Sequence, residues 1–135
     1  MGEEINDTKP RILVAEDDKE NQRYLDFILR RTYEIDFCDS PDDFFRFISR
    51  KKYDIVIMDI TLRAEQCGLS LIRELKRKQE YREIPIVGLS AHVFSQDRKK
   101  ALEAGADVYL TKPIGNKKLM DTLEKLLTQK KTSQR

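Results

Sequence analysis

The stretch YDIVIMDITL, residues 53–62, decides how this chain is read. Residues 55–58 are an unbroken apolar run of the kind that forms a strand buried on both faces of a sheet. The run ends in Asp59. Desolvating an unpaired carboxylate costs several kcal/mol, so either a partner neutralises Asp59 or the strand exists to place it.

Outward from that strand, strand-like and helix-like segments alternate. RILVAE (11–16) reads as a buried strand. KENQRYLDFILRR (19–31) carries Leu25, Ile28 and Leu29 at helical spacing, with Asp18 as its N-cap. YEIDFC (33–38) is a shorter, alternating strand. Ser40-Pro41-Asp42-Asp43 supplies an N-cap, a proline at the first helical position and acidic residues in the first turn. That opens a helix carrying Phe44, Phe45 and Ile48. A further helix passes through Leu71, Ile72 and Leu75. IPIVGLS (84–90) reads as the fourth strand, a helix over 95–104 stops at Gly105, and DVYL (107–110) is the fifth strand. The last helix, 115–129, aligns Leu119, Leu123, Leu126 and Leu127. The expected division is a flexible segment over 1–9, one domain over 10–128 and a polar tail over 129–135. Five strands alternating with five helices predict a doubly wound α/β fold, a parallel sheet covered on both faces by right-handed crossovers. Such sheets place ligand sites at the carboxyl ends of their strands, where strand order reverses.

Bulk properties narrow the function class. The 135 residues suffice for one domain with a proper core. With 26 Lys and Arg against 24 Asp and Glu, the net charge is +2, so nothing compels a nucleic-acid or anionic-membrane partner. Cys38 and Cys67 have no metal-like spacing and read as free thiols. No apolar run approaches a membrane span, and MGEEINDTK is no signal peptide. The expectation is a soluble, cytoplasmic protein.

The strand ends carry the chemistry. Glu16 and Asp17 follow the first strand, Asp59 ends the third, Ser90 the fourth, and Lys112 follows the fifth. Singly each has an ordinary reading: a helix cap, a turn hydroxyl, a surface charge. Together the fold directs them to one crevice. Three carboxylates ~4–5 Å apart repel by a few kcal/mol per pair at an effective dielectric near 20, and a divalent cation removes the conflict. An all-oxygen site suits Mg²⁺, with Mn²⁺ also possible. Lys112 then offers a positive charge and Ser90 a hydroxyl to an anionic group. The set describes phosphoryl transfer onto a carboxylate.

ILVAEDD, DIVIMDI, VGLSA and YLTKP, in this order, resemble the diagnostic segments of CheY-like response-regulator receiver domains of two-component signalling, over roughly residues 10–128. The resemblance implies a five-stranded sheet of order 2-1-3-4-5. It implies that Asp59 accepts a phosphoryl group from a phosphohistidine, and that Glu16, Asp17, Asp59 and the Thr61 carbonyl hold Mg²⁺. Ser90 and Lys112 would contact the phosphoryl oxygens, Lys112-Pro113 would be a cis peptide, and Tyr109 would be the switch aromatic. Thr61 and His92 would border the path of the hydrolytic water. The chain departs from the family after the acceptor: Arg63 stands where proline is usual, and Gly68 comes one residue late, which puts the loop's shape in question.

Two other readings compete. A phosphatase of the haloacid-dehalogenase type would need an aspartate where Thr61 stands, and room for a cap domain. A pseudo-receiver that binds partners without phosphorylation conflicts with the intact set of Glu16, Asp17, Asp59, Ser90 and Lys112. The expected partners are a histidine kinase or histidine phosphotransferase and a downstream protein meeting the face formed by 95–104, 107–110 and 115–129. EDDKENQRYL and the segment 88–114 look more like receivers of hybrid histidine kinases than those of transcription factors. No effector domain is expected after the last helix, and no direct contact with nucleic acid or membrane.

Overall fold

The computed structural model describes residues 9–62, 67–91 and 95–133. The strands are β1 (Arg11–Ala15), β2 (Glu34–Cys38), β3 (Ile55–Asp59), β4 (Ile86–Ser90) and β5 (Val108–Thr111). Between and after them run α1 (Lys19–Leu29), α2 (Pro41–Arg50), α3 (Cys67–Arg77), α4 (Ser95–Ala104) and α5 (Asn116–Ser133). The sheet order is β2-β1-β3-β4-β5, with every neighbouring pair parallel. From β1 the chain steps to one side, to β2, and then crosses to β3 on the other. The loops after β1 and β3 therefore part at their carboxyl ends and open a crevice there.

Side-chain alternation divides the core into two layers. Leu13, Val56 and Met58 face Phe44 and Ile48 of α2, Ile72 and Leu75 of α3, and Ala101 of α4. Ile12, Val14, Ile55 and Ile57 face Leu25 and Leu29 of α1 and Leu119 and Leu123 of α5. The strand of the opening stretch is buried at all five positions, as a central parallel strand must be. Edge strand β2 is buried only at Cys38.

Local chemistry sets the helix limits. The Asp18 carboxylate accepts from the Glu20 N–H at 3.3 Å and starts α1, and Ser40 Oγ accepts from the Asp43 N–H at 3.2 Å before Pro41. Gly105, at φ +125°, ends α4; a Cβ there would be strained and would overlap Lys76 Cγ. Several limits differ from the sequence expectation: β1 ends at Ala15, β2 starts at Glu34 and β5 spans Val108–Thr111, and three further differences have a local cause. Helix α1 stops at Leu29, where the Thr32 and Tyr33 N–H groups both turn back to the Leu29 carbonyl. Strand β4 starts at Ile86, because Pro85 has no N–H to give the ladder. Helix α5 runs to Ser133 rather than 129, since no glycine or proline interrupts that polar stretch. Lys112-Pro113 is cis, as the resemblance implied.

Candidate acidic site at the strand ends

The parity that buries alternate residues also aims the site. Glu16, Asp59 and Lys112 continue β1, β3 and β5 on the side facing α1 and α5, the side of Val14, Ile57 and Leu110. Glu16 is fully buried and Asp59 is 3% exposed, although both are acidic. Lys112 Nζ lies 2.8 Å from Glu16 Oε1 and 3.2 Å from Asp59 Oδ2. Asp17, half-buried, completes the group: one carboxylate oxygen from each of Glu16, Asp17 and Asp59 lies within 4.8 Å of the others. Asp18 stands outside it as the α1 cap.

Asp59 is held from both sides. Its Oδ1 accepts the Thr61 N–H at 3.0 Å and the Thr61 hydroxyl at 2.9 Å, and its Oδ2 accepts from Lys112. The Ile60 N–H donates to the Leu89 carbonyl at 2.9 Å, and the Lys112 N–H to the Ser90 carbonyl at 2.8 Å. These bonds lock the ends of β3, β4 and β5 into one frame. Ser90 is fully buried in that frame.

One ammonium bridges two carboxylates, with a third beside them, and the balance shows in the titration of Glu16 and Lys112. Burial raises the Glu16 carboxyl pKa; Lys112 opposes the rise and the charge of Asp59 adds to it. Burial alone would lower the Lys112 pKa, but contact with Glu16 and the charge of Asp59 outweigh it and raise the value. Both shifts mean the same thing: the site holds positive charge more tightly than water does. Glu16 Oε1 makes its ion pair with Lys112 off the hydrogen-bonding direction, so it is buried with no aligned donor. An all-oxygen cluster with surplus negative charge and an under-satisfied buried carboxylate oxygen fits a small divalent cation.

Two contributors escaped the sequence reading. The Thr61 hydroxyl bonds the Asp59 carboxylate itself, whereas only its carbonyl and its closeness to a water path were expected. Gly68 lets the start of α3 press on the β3 end: a Cβ there would overlap the Asp59 carbonyl oxygen and lie 2.6 Å from the Ile60 Cα. The late glycine is thus required by a backbone-on-backbone contact. Its spacing from Asp59 was visible in the sequence; the contact was not. Arg63 and His92 lie outside the described residues.

Residues 12–124 match the family described as the response regulator receiver domain, and the chain belongs to that family. It is 30% identical over 124 residues to the transcriptional regulatory protein BaeR of Escherichia coli, covering 91% of this chain and 50% of BaeR. It is 34% identical over 122 residues to hybrid signal transduction histidine kinase I of Dictyostelium discoideum, covering 84% of this chain and 7% of the kinase. The chain thus spans about half the length of the first of these relatives and a small part of the second. Among solved structures, the receiver domain of the sensor histidine kinase PA1611 of Pseudomonas aeruginosa, with a magnesium ion coordinated in its active-site cleft, superposes at TM-score 0.81. It is 30% identical, and the match covers 90% of this chain and 99% of that one. A CheY-like receiver from Methanospirillum hungatei, 20% identical, shares the fold at TM-score 0.84, with 93% and 99% covered. The chain is a receiver domain of two-component signalling, a signalling module rather than an ordinary enzyme. Receiver domains bind Mg²⁺ at an acidic pocket, and a Glu-Asp-Asp cluster is present here. They interact with histidine kinases or phosphotransfer proteins. No helix among the described residues is long and apolar enough to cross a membrane.

Proposed function

We propose that Asp59 takes a phosphoryl group from a phosphohistidine of a histidine kinase or histidine phosphotransferase in the cytoplasm. An oxygen of the Asp59 carboxylate attacks phosphorus, the O–P bond forms, the P–N bond breaks, and its electron pair leaves on the imidazole nitrogen. Glu16, Asp17, Asp59 and the Thr61 carbonyl would hold Mg²⁺. When bound, the ion supplies positive charge to the phosphoryl oxygens. Thr61, through its N–H and hydroxyl, keeps the carboxylate from rotating. Lys112 and Ser90 take the phosphoryl oxygens, the first by charge and the second by a hydrogen bond. Autodephosphorylation is the only other reaction the domain would carry out.

The observation that carries this reading is the convergence of buried Asp59, the acidic pair and Lys112 within one small crevice. Output would pass through the β5 edge of the sheet, between α4 and α5. Tyr109 and Ser90 lie on neighbouring strands, with Gly88 opposite Tyr109 and Ser90 opposite Thr111. Movement of Ser90 toward a phosphoryl group would let the Tyr109 ring turn. Tyr109 lines a groove of about 700 Å³ with Arg98, Leu102, Lys118, Asp121 and Lys125 of α4 and α5. That groove is the proposed face for a downstream protein.

Incubation with acetyl phosphate and Mg²⁺, followed by intact mass, tests the reading. One phosphoryl group should appear on the wild type and none on Asp59→Asn or in excess chelator. Equal labelling of the variant would overturn it.

A further inference from the structure

Three polar atoms of Glu16 make hydrogen bonds, and the fourth, Oε1, has only its ion pair. Its N–H donates to the Cys38 carbonyl at 3.0 Å, and its Oε2 accepts the Asp18 N–H at 3.1 Å. Oε1 faces Lys112 at 2.8 Å. Its main-chain carbonyl accepts the side-chain amide of Gln22, with Nε2 at 2.5 Å. Gln22 stands six residues further on, in the second turn of α1. The connection from Glu16 to Asp18 is also tied to α1 by the Gln22 N–H on the Asp18 carbonyl, at 3.0 Å, and by the Asp18 cap on Glu20. Those two are bonds that any capped helix start provides. The Gln22 amide is different. It needs a particular side chain, long enough to reach back and able to donate.

We infer that Gln22 is a positioning residue for metal binding: it fixes the Glu16 carbonyl, and with it the backbone that presents the Glu16 and Asp17 carboxylates. The inference rests on the reading of Glu16, Asp17 and Asp59 as cation ligands. Gln22 bonds the Glu16 main-chain oxygen, so it acts through the backbone. Without that bond the Glu16 carbonyl is held less firmly, and the distances between the carboxylate oxygens spread. Mg²⁺ demands near-ideal octahedral geometry at short distances, whereas Ca²⁺ accepts more ligands in looser arrangements. Loss of the clamp therefore weakens Mg²⁺ more than Ca²⁺. The same helix sends a second side chain to the other wall of the crevice: the Tyr24 hydroxyl donates to the Ile114 carbonyl at 2.7 Å, holding the loop that follows Lys112. The two clamps act on different loops and are separable by mutation.

Calorimetric titration of wild type, Gln22→Met, Gln22→Ala and Tyr24→Phe with Mg²⁺ alone and Ca²⁺ alone tests this, with the melting temperature of each metal-free protein as the measure of integrity. Both Gln22 variants should bind Mg²⁺ about fivefold or more weakly, as expected for one lost hydrogen bond. Their Ca²⁺ affinity should fall less, and their metal-free melting temperatures should fall by no more than the few degrees that one hydrogen bond is worth. Tyr24→Phe should bind both ions as the wild type does. Wild-type Mg²⁺ affinity in the Gln22 variants overturns the inference. So does an equal loss for both ions, or the same loss in Tyr24→Phe. A wild type that binds no Mg²⁺ overturns the metal-site reading itself, which is a separate result.

Discussion

Lys112 Nζ bridges Glu16 Oε1, at 2.8 Å, and Asp59 Oδ2, at 3.2 Å, so one ammonium serves the two most buried carboxylates of the site. Its removal should have opposite effects on two measurements. Lys112→Met leaves a phosphoryl group without its charged donor and should slow labelling by acetyl phosphate by roughly a hundredfold. The same change removes the positive charge nearest the acidic cluster, so Mg²⁺ should bind more tightly. Stopped labelling kinetics and metal titration on one preparation check both directions.

Gly68 offers a test of the packing behind Asp59. Gly68→Ala places a methyl group against the Asp59 carbonyl oxygen and the Ile60 backbone, which cannot move without disturbing β3. The cost should be about 1–3 kcal/mol. Thermal and urea unfolding should show the loss, and labelling of the folded fraction should slow because Asp59 shifts with its backbone.

Much of this arrangement is readable in the chain. Apolar runs at 12–15, 55–58 and 86–89 mark the strands, and the residues that follow them are the chemical ones. What escaped are contacts that polar side chains make across loops: the Thr61 hydroxyl on Asp59 Oδ1, Gln22 on the Glu16 carbonyl, Tyr24 on the Ile114 carbonyl. Hydrophobic periodicity reports which face a residue takes. It says nothing about which carbonyl a glutamine reaches six residues away. The Gly68 contact escaped for a related reason, since a glycine's spacing does not reveal which backbone passes beside it. The α5 end was missed because polarity after Leu127 reads as a tail, although lysine, glutamine and threonine continue a helix once it is anchored.

The proposed switch runs through Ser90 and Tyr109, which are 0% and 8% exposed on adjacent strands. Beryllofluoride with Mg²⁺, which mimics a phosphoryl group on a carboxylate, should shift the Tyr109 ring signals in NMR spectra of the wild type. The shift should weaken in Ser90→Ala. Identical shifts in both proteins would break the proposed coupling without touching the phosphorylation chemistry.

Cys38, whose carbonyl accepts the Glu16 N–H, adds a pH dependence of its own. Burial, helped by the charges of Asp43, Asp39 and Asp36, pushes its thiol up to about 12. A folded-state value above the unfolded one means that the folded protein holds the proton more tightly. The resulting stability is fully present below the ordinary thiol value of 9.0 and is lost as the pH rises toward 12. In a Cys67→Ser background, Cys38 should resist thiol reagents at pH 8 in the native state and react once the protein unfolds. Stability by urea titration should fall across the alkaline window, and less so in Cys38→Ala.

The central claim is that Asp59 itself carries the phosphoryl group. Borohydride reduces an aspartyl phosphate to the primary alcohol, so a protein labelled with acetyl phosphate and Mg²⁺ can be reduced, digested and sequenced by mass spectrometry. The account predicts homoserine at position 59 and unmodified aspartate at 17 and 18. Homoserine at either of those positions, with aspartate intact at 59, would contradict it.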